Sequence, residues 1–219
     1  MLFQDRIEAG QRLAQKLTAH ANRRDVLVLG LPRGGVPVAF EVAKALNAPL
    51  DVFLVRKLGV PGHKELAMGA IASGGVRILN EEIVKSLGLS EEEIARVAAQ
   101  EQRELERREQ VYRGDRLPLE VSDRLVILVD DGLATGATMH AAAVAIRQQH
   151  PKRIIAAVPV SAPETCNEFQ VEVDEIICAE TPRPFFAVGL WYKEFSQTSD
   201  AEVRDLLQRA AEAETTASK

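Results

Sequence analysis

Cysteine is nearly missing from this chain: of 219 residues, only Cys166 and Cys178 carry a thiol. They form no Cys-x-x-Cys pair, so their spacing indicates neither a zinc site nor a disulfide framework. Two half-buried free thiols in a reducing cytosol are the expectation, which favours a cytoplasmic protein. Also missing is any apolar run near the roughly 18 residues that a membrane-spanning helix needs. The opening MLFQDRIEAGQRLAQKL carries acidic residues early and spaces Ile7, Leu13, Ala14 and Leu17 helically. It predicts an amphipathic helix over residues 5–20 rather than a signal peptide. Positive charge is not in excess either. The net charge of −5 excludes a globally cationic surface, so neither nucleic acid nor a membrane is an expected partner. No Gly-Lys-Ser/Thr stands at Walker spacing, and no internal repeat or linker interrupts the chain.

What is present is a succession of short apolar runs alternating with helical stretches. DVLVLGL, PLDVFLVRK, the run ending at Val129, RIIAAVPV and VDEIICAE read as buried strands, with helices expected over 36–46 and from the 130s to Gln149. A helical turn is expected near 163–169. The strands lack period-two alternation, as expected where both faces of a parallel sheet are covered. The fold class is therefore α/β: a doubly wound, mainly parallel sheet flanked by helices, in one domain over 1–219. LGVPGHKEL is expected to be a loop, with Gly59, Pro61 and Gly62 as breakers. AMGAIASGGVRIL suggests a small hairpin around Gly74 and Gly75. A long polar insertion follows over about 81–113, with Ser90 and Glu93 at capping-box spacing. A C-terminal segment over about 180–212 is expected to supply a small hood.

The chemistry concentrates in VILVDDGLATGAT, residues 126–138. A buried strand ends in Asp130 and Asp131, then a loop of small residues and hydroxyls leads into a helix. In open α/β sheets ligands sit beyond the carboxyl ends of strands. Gly132 and Gly136 allow successive N–H groups to turn inward, Thr135 and Thr138 add donors, and the helix N-terminus is positive. These features suit a phosphate monoester. The carboxylates suit ring hydroxyls, which need acceptors, or a hard cation such as Mg2+ held through its waters. A sugar phosphate satisfies both halves. Response-regulator receivers also pair aspartates at a strand end, but near the chain start and without a Thr-Gly loop behind them.

The stretch resembles the phosphoribosyl-pyrophosphate (PRPP) motif of the type I phosphoribosyltransferases. The resemblance implies that Asp130 and Asp131 take the ribose hydroxyls, with metal bound there through water. It implies that Gly132, Leu133, Ala134, Thr135, Gly136, Ala137 and Thr138 form the ribose and 5′-phosphate loop. The family's pyrophosphate loop after the first core strand is matched by GLPRGGVPVA. There Arg33 can donate a bidentate fork, and Gly34 and Gly35 let the backbone approach closely. The family's mobile loop is matched by VRKLGVPGHKELAMG, which is similar to the adenine phosphoribosyltransferase segment. It implies Arg56, Lys57 and Lys64 near pyrophosphate, with Lys57 and Glu65 as candidate catalytic residues and His63 an ordinary loop histidine. The 6-oxopurine members carry an acid where this chain has Ala134, which argues against hypoxanthine, guanine or xanthine and leaves the acceptor unassigned. Trp191 and Tyr192, close to Phe185 and Phe186, are candidates to stack on a base, or alternatively to pin the C-terminal segment to the core.

The implied activity is Mg2+-dependent transfer of 5-phosphoribosyl from PRPP to a nitrogenous small-molecule acceptor, in a homodimer. The alternative is a non-catalytic PRPP-sensing regulator or accessory protein of the same fold.

Overall fold

A computed structural model of the chain describes residues 2–118 and 120–217, without the side chains of 64, 65, 216 and 217. Its centre is a five-stranded parallel sheet of order β2-β1-β6-β7-β8. The strands are β1 (Val26–Gly30), β2 (Leu50–Val52), β6 (Leu125–Val129), β7 (Arg153–Val160) and β8 (Glu175–Glu180). Every residue of β1 and β6 is buried, which is why these runs show no polar alternation. Successive side chains still point to opposite faces. Val26, Val28, Ile127 and Val129 join a core with α1 (Arg6–Lys16), α2 (Gly35–Leu46) and α7 (Asp200–Ala217). Leu27, Leu29, Val126 and Leu128 join a second core under α5 (Ala137–Arg147). The sheet is thus covered on both faces, as the sequence implies.

Between β2 and β6 the chain builds a second sheet, antiparallel, of order β3-β4-β5: β3 (Val55–Val60), β4 (His63–Ala72) and β5 (Val76–Leu79). This corrects two expectations. PLDVFLVRK is not one strand, because the chain leaves the parallel sheet after Val52 and enters the second sheet at Val55. LGVPGHKEL is not a loop. Pro61 and Gly62 make the turn of a hairpin, Gly62 at φ +79, and register shifts absorb Gly59. Leu58, Val60, Met68 and Ile71 bury their side chains in the first core, so the hairpin is fixed by packing. The turn at Gly74 and Gly75 between β4 and β5 is the hairpin anticipated from ASGGVR.

The segment 81–113 folds as α3 (Glu81–Ser86) and the 23-residue α4 (Glu91–Arg113). Ser90 and Glu93 form the reciprocal cap that their spacing suggests. At the far end of α4, Arg113 is only 7% exposed. It donates to both oxygens of Asp51, to Glu109 and to the Val52 carbonyl, joining α4 to β2. The C-terminal region divides: residues 181–199 run as irregular chain with one helical turn, whereas α7 returns to the core through Val203 and Leu207. A further correction concerns the cysteines. Cys166, in α6 (Pro163–Glu168), is joined by a disulfide to Cys178 in β8. They are twelve positions apart in sequence, but the short connection from α6 through a helical turn at Phe169–Val171 to β8 brings their Cα atoms to 6.6 Å. Free thiols therefore no longer argue for a reducing compartment. Among the described residues no helix is long and apolar enough to cross a membrane.

Candidate functional site

The parallel register sets Gly30 beside Val129, so the chain leaves β1 and β6 at the same edge. Leu31 N–H donates to the Val129 carbonyl, and Gly35 N–H donates back to the Leu31 carbonyl. The two loops singled out from sequence therefore meet. A Cβ on Gly34 would lie 2.0 Å from Asp131 Oδ2, and one on Gly35 would lie 2.7 Å from the Val129 carbonyl oxygen and 2.9 Å from Asp130 Cα. Glycine is required here by contact, because Gly34 has ordinary helical dihedrals (φ −61, ψ −31). Arg33 is partly exposed, its Nη1 3.7 Å from Asp200 Oδ1 at the start of α7.

The two aspartates are held differently. Asp130 Oδ1 accepts the Asp131 N–H at 2.8 Å, and among the described residues no side chain pairs with Asp130. Burial, then the neighbouring Asp131 charge, pushes the Asp130 carboxyl well above the usual range. Asp131 is also raised by burial, but Arg6 opposes the shift. Arg6 reaches Asp131 Oδ2 from Nε at 2.9 Å and from Nη2 at 2.8 Å, with side chains 12% and 15% exposed. The Tyr192 hydroxyl donates to the Asp131 carbonyl oxygen at 2.6 Å.

Beyond the acids, Gly132 packs against Val188, where a Cβ would not fit. Leu133 is buried and anchors the loop by donating its N–H to the Val160 carbonyl. Ala134, Thr135, Ala137 and Thr138 are exposed, so the loop's outer face is open to a ligand. Gly136 caps α5 at φ +74, a conformation that suits glycine, and Phe169 and Thr165 back it. The Thr165 hydroxyl donates to the Ala134 carbonyl at 2.8 Å. The first N–H groups of α5 have no partner within the helix and point toward its N-terminal end. Behind the loop lies a cavity of about 650 Å³, bounded by Thr135–Ala137, His140, Phe169 and the β4–β5 hairpin.

Other candidates are placed elsewhere. Arg56, expected near pyrophosphate, is instead turned onto α4, where Nε and Nη2 both donate to Glu101. Lys57 is exposed on β3, and His63 is exposed where β4 begins. Lys64 and Glu65 lie in β4, but their side chains are outside the described residues. Tyr192 is corrected as a base-stacking candidate. Its ring is 2% exposed between Phe3 and Phe195, at centroid distances of 5.3 and 4.9 Å, so it pins the C-terminal segment. Trp191 stacks on Phe185, and the ring open to solvent is Phe186, 79% exposed. The residue missed in the sequence is Arg6, which lies 125 positions from its partner in a helix that carries no motif.

A model of the phosphoribosyl transferase domain matches residues 3–193. Proteins from two Mycobacterium tuberculosis strains, CDC 1551 and H37Rv, both provisionally named phosphoribosyl transferases, are 48% identical over 209 residues. The match covers 95% of this chain and 47% of theirs, so the chain spans about half the length of these curated relatives. The crystal structure of TT1426 from Thermus thermophilus superposes with a TM-score of 0.84 at 40% identity, covering 95% of this chain and 99% of that one.

Proposed function

The chain belongs to the phosphoribosyl transferase domain family, and on that premise we propose that it transfers 5-phosphoribosyl from PRPP to a nitrogen of a small acceptor, releasing pyrophosphate. The observation that carries the reading is the meeting of the acid pair and the Arg33–Gly35 loop, with no space for a Cβ between them. One ligand with ribose hydroxyls at the acids and a diphosphate at the glycines spans both. The loop 134–138, exposed except at Gly136, and the N-terminus of α5 would take its 5′-phosphate.

In the reaction the C1–O bond to pyrophosphate breaks, a C1–N bond forms, and the nucleophile loses its proton. A mechanism of this kind needs charge stabilisation and positioning rather than a covalent nucleophile. Asp130 and Asp131 would hold the ribose, while Arg33 and the loop amides would stabilise the departing pyrophosphate. The acid pair also fits Mg2+ held through waters, since one or two carboxylates with substrate phosphates suffice for that ion. Bound there, Mg2+ would offset the charge of the leaving group. Lys57 and Glu65 are kept as acid–base candidates on the resemblance alone. Ala134, in place of an acid, favours an acceptor other than a 6-oxopurine.

A PRPP-sensing role is the second reading. The observation favouring it is the β3–β4 hairpin, which is packed into the core where the catalytic family has a closing loop. Calorimetric titration of PRPP with and without Mg2+ tests both readings, and absence of binding at millimolar ligand would overturn them. Pyrophosphate release across a panel of nucleobases and amines then separates them: release with any acceptor supports transfer, whereas binding without release supports a sensor.

A further inference from the structure

Arg6 is the first residue of α1, a position where the helix dipole disfavours a cation. Asp5 already caps the helix by accepting the Glu8 N–H, so local helix stability gives no reason for an arginine there. The reason lies across the fold. Its guanidinium is held by Asp131 Oδ2, by the Ser196 carbonyl at 2.8 Å, and by the Phe195 ring, whose centroid is 4.0 Å away. The Gly34 Cβ position lies 3.3 Å from Arg6 Nε, so Arg6, Asp131 and Gly34 form one contact cluster.

We propose that Arg6 is a positioning residue that clamps Asp131 against the Arg33–Gly35 loop and so sets the spacing between the ribose and pyrophosphate subsites. The proposal rests on the PRPP reading above and deepens it. Both Arg6 bonds to Asp131 go to Oδ2, so Arg6 does not occupy Oδ1. The Asp131 N–H is spent on Asp130 and its carbonyl on Tyr192, so neither backbone nor side chain can swing. The clamp makes the two acids unequal: Asp131 is fixed and charge-compensated, and Asp130 is the acid left to a sugar hydroxyl or a cation. It also lowers the charge that an anionic donor meets, from two adjacent carboxylates to one in excess. A ligand that spans both loops depends on their spacing and loses most when the clamp goes.

Titration calorimetry of Mg2+–PRPP on the full chain tests this, because it reports affinity and the fraction of competent sites separately. Arg6→Gln is expected to keep the wild-type stoichiometry and to weaken PRPP by roughly ten- to a hundredfold, the worth of a charge-assisted pair. Arg6→Lys, which keeps the charge but not the fork, should fall between the two. Phe195→Leu removes the ring beneath the guanidinium and should weaken PRPP in the same direction. It answers the question if the Arg6 variants do not fold. An Arg6→Gln protein with wild-type affinity, or with fewer sites at unchanged affinity, would show that Arg6 merely anchors α1 and would overturn the inference alone. Wild-type protein that fails to bind PRPP would overturn the proposed function and the clamp with it.

Discussion

Adding one methyl group at Gly34 gives a test in which the sign decides. Gly34 is helical, so by backbone considerations alone Gly34→Ala should stabilise the protein by roughly 0.5–1 kcal/mol. The contact works the other way. The new Cβ would sit 2.0 Å from Asp131 Oδ2 and 2.8 Å from Asp131 Cγ, so the carboxylate must retreat by an ångström or more. It has nowhere easy to go, since Arg6, Asp130 and Tyr192 each hold part of the residue. Overpacking of this kind costs about 1–3 kcal/mol, and loss of a charge-assisted bond a similar amount. Set against the backbone gain, the net expectation is a loss of roughly 1–5 kcal/mol, or about 2–20 °C in Tm for a chain of this size. Gly35→Ala is the harsher companion. Its Cβ meets the Val129 carbonyl and Asp130 Cα, which are backbone at the end of a buried strand and cannot rotate away. Thermal unfolding followed by circular dichroism should rank wild type above Gly34→Ala and Gly34→Ala above Gly35→Ala, with PRPP binding impaired in both variants. A Gly34→Ala protein as stable as wild type, or more so, would refute the reasoning, because the two loops would then not be in contact.

Asp130→Asn should leave Tm unchanged or raise it while abolishing PRPP binding. The substitution removes a charge that burial and Asp131 both oppose and keeps an oxygen for the Asp131 N–H. Asp131→Asn should lower Tm, because the enclosed Arg6 loses its counter-ion; equal losses in the two variants would contradict the assigned inequality. Arg113→Met takes the guanidinium from buried Asp51 and should cost about 3–5 kcal/mol in urea unfolding, and a loss under about 1 kcal/mol would show that α4 is held by other contacts. The chain has two tyrosines. Tyr112 is pushed up to about 12 by burial and by its bond to Asp200, and Tyr192 is raised further by burial and the Asp131 charge. Raised values mean that the neutral phenols stabilise the fold below the ordinary value of 10.0, and that this contribution is lost as pH rises through the folded values. Phenolate absorbance should therefore appear only as the circular dichroism signal collapses. Half the phenolate signal near pH 10 with structure intact would refute the burial of one ring.

The parallel sheet was legible because β1, β6 and β7 are buried on both faces and so read as unbroken apolar runs. The reciprocal cap of α4 was legible because it is local, made by residues three apart. The β3–β4 hairpin was not, since Pro61 and Gly62 are equally good signals for a loop and for a tight turn. Only the burial of Leu58, Val60 and Met68 decides between them. Chain order hides the Cys166–Cys178 bond for a similar reason: the spacing says nothing until the short turn at Phe169–Val171 is seen to fold α6 back beside β8. Tyr192 was visible as an aromatic but not as a buried one, because its neighbours Phe3 and Phe195 come from both ends of the chain.

The two kinds of site residue have different origins. Asp130, Asp131 and the glycine loop meet because β1 and β6 are adjacent parallel strands, so the backbone alone brings them together. What holds them in register comes from the termini. Leu2 and Phe3 donate their N–H groups to the Trp191 carbonyl, Lys193 donates to Phe3, and Glu194 donates to Gln4, which makes residues 2–4 and 191–194 a paired strap. That strap presents Arg6 and Tyr192 to Asp131 from outside the motif. The family match, residues 3–193, begins and ends inside it. Beyond that span, Asp200 at the start of α7 accepts from Tyr112 of α4 at 2.9 Å and lies 3.7 Å from Arg33, so α4 and the glycine loop meet at one carboxylate. A motif can specify which groups face a ligand. The tolerance of two half-buried acids side by side, and the distance between them and the loop, depend on residues that no local pattern identifies.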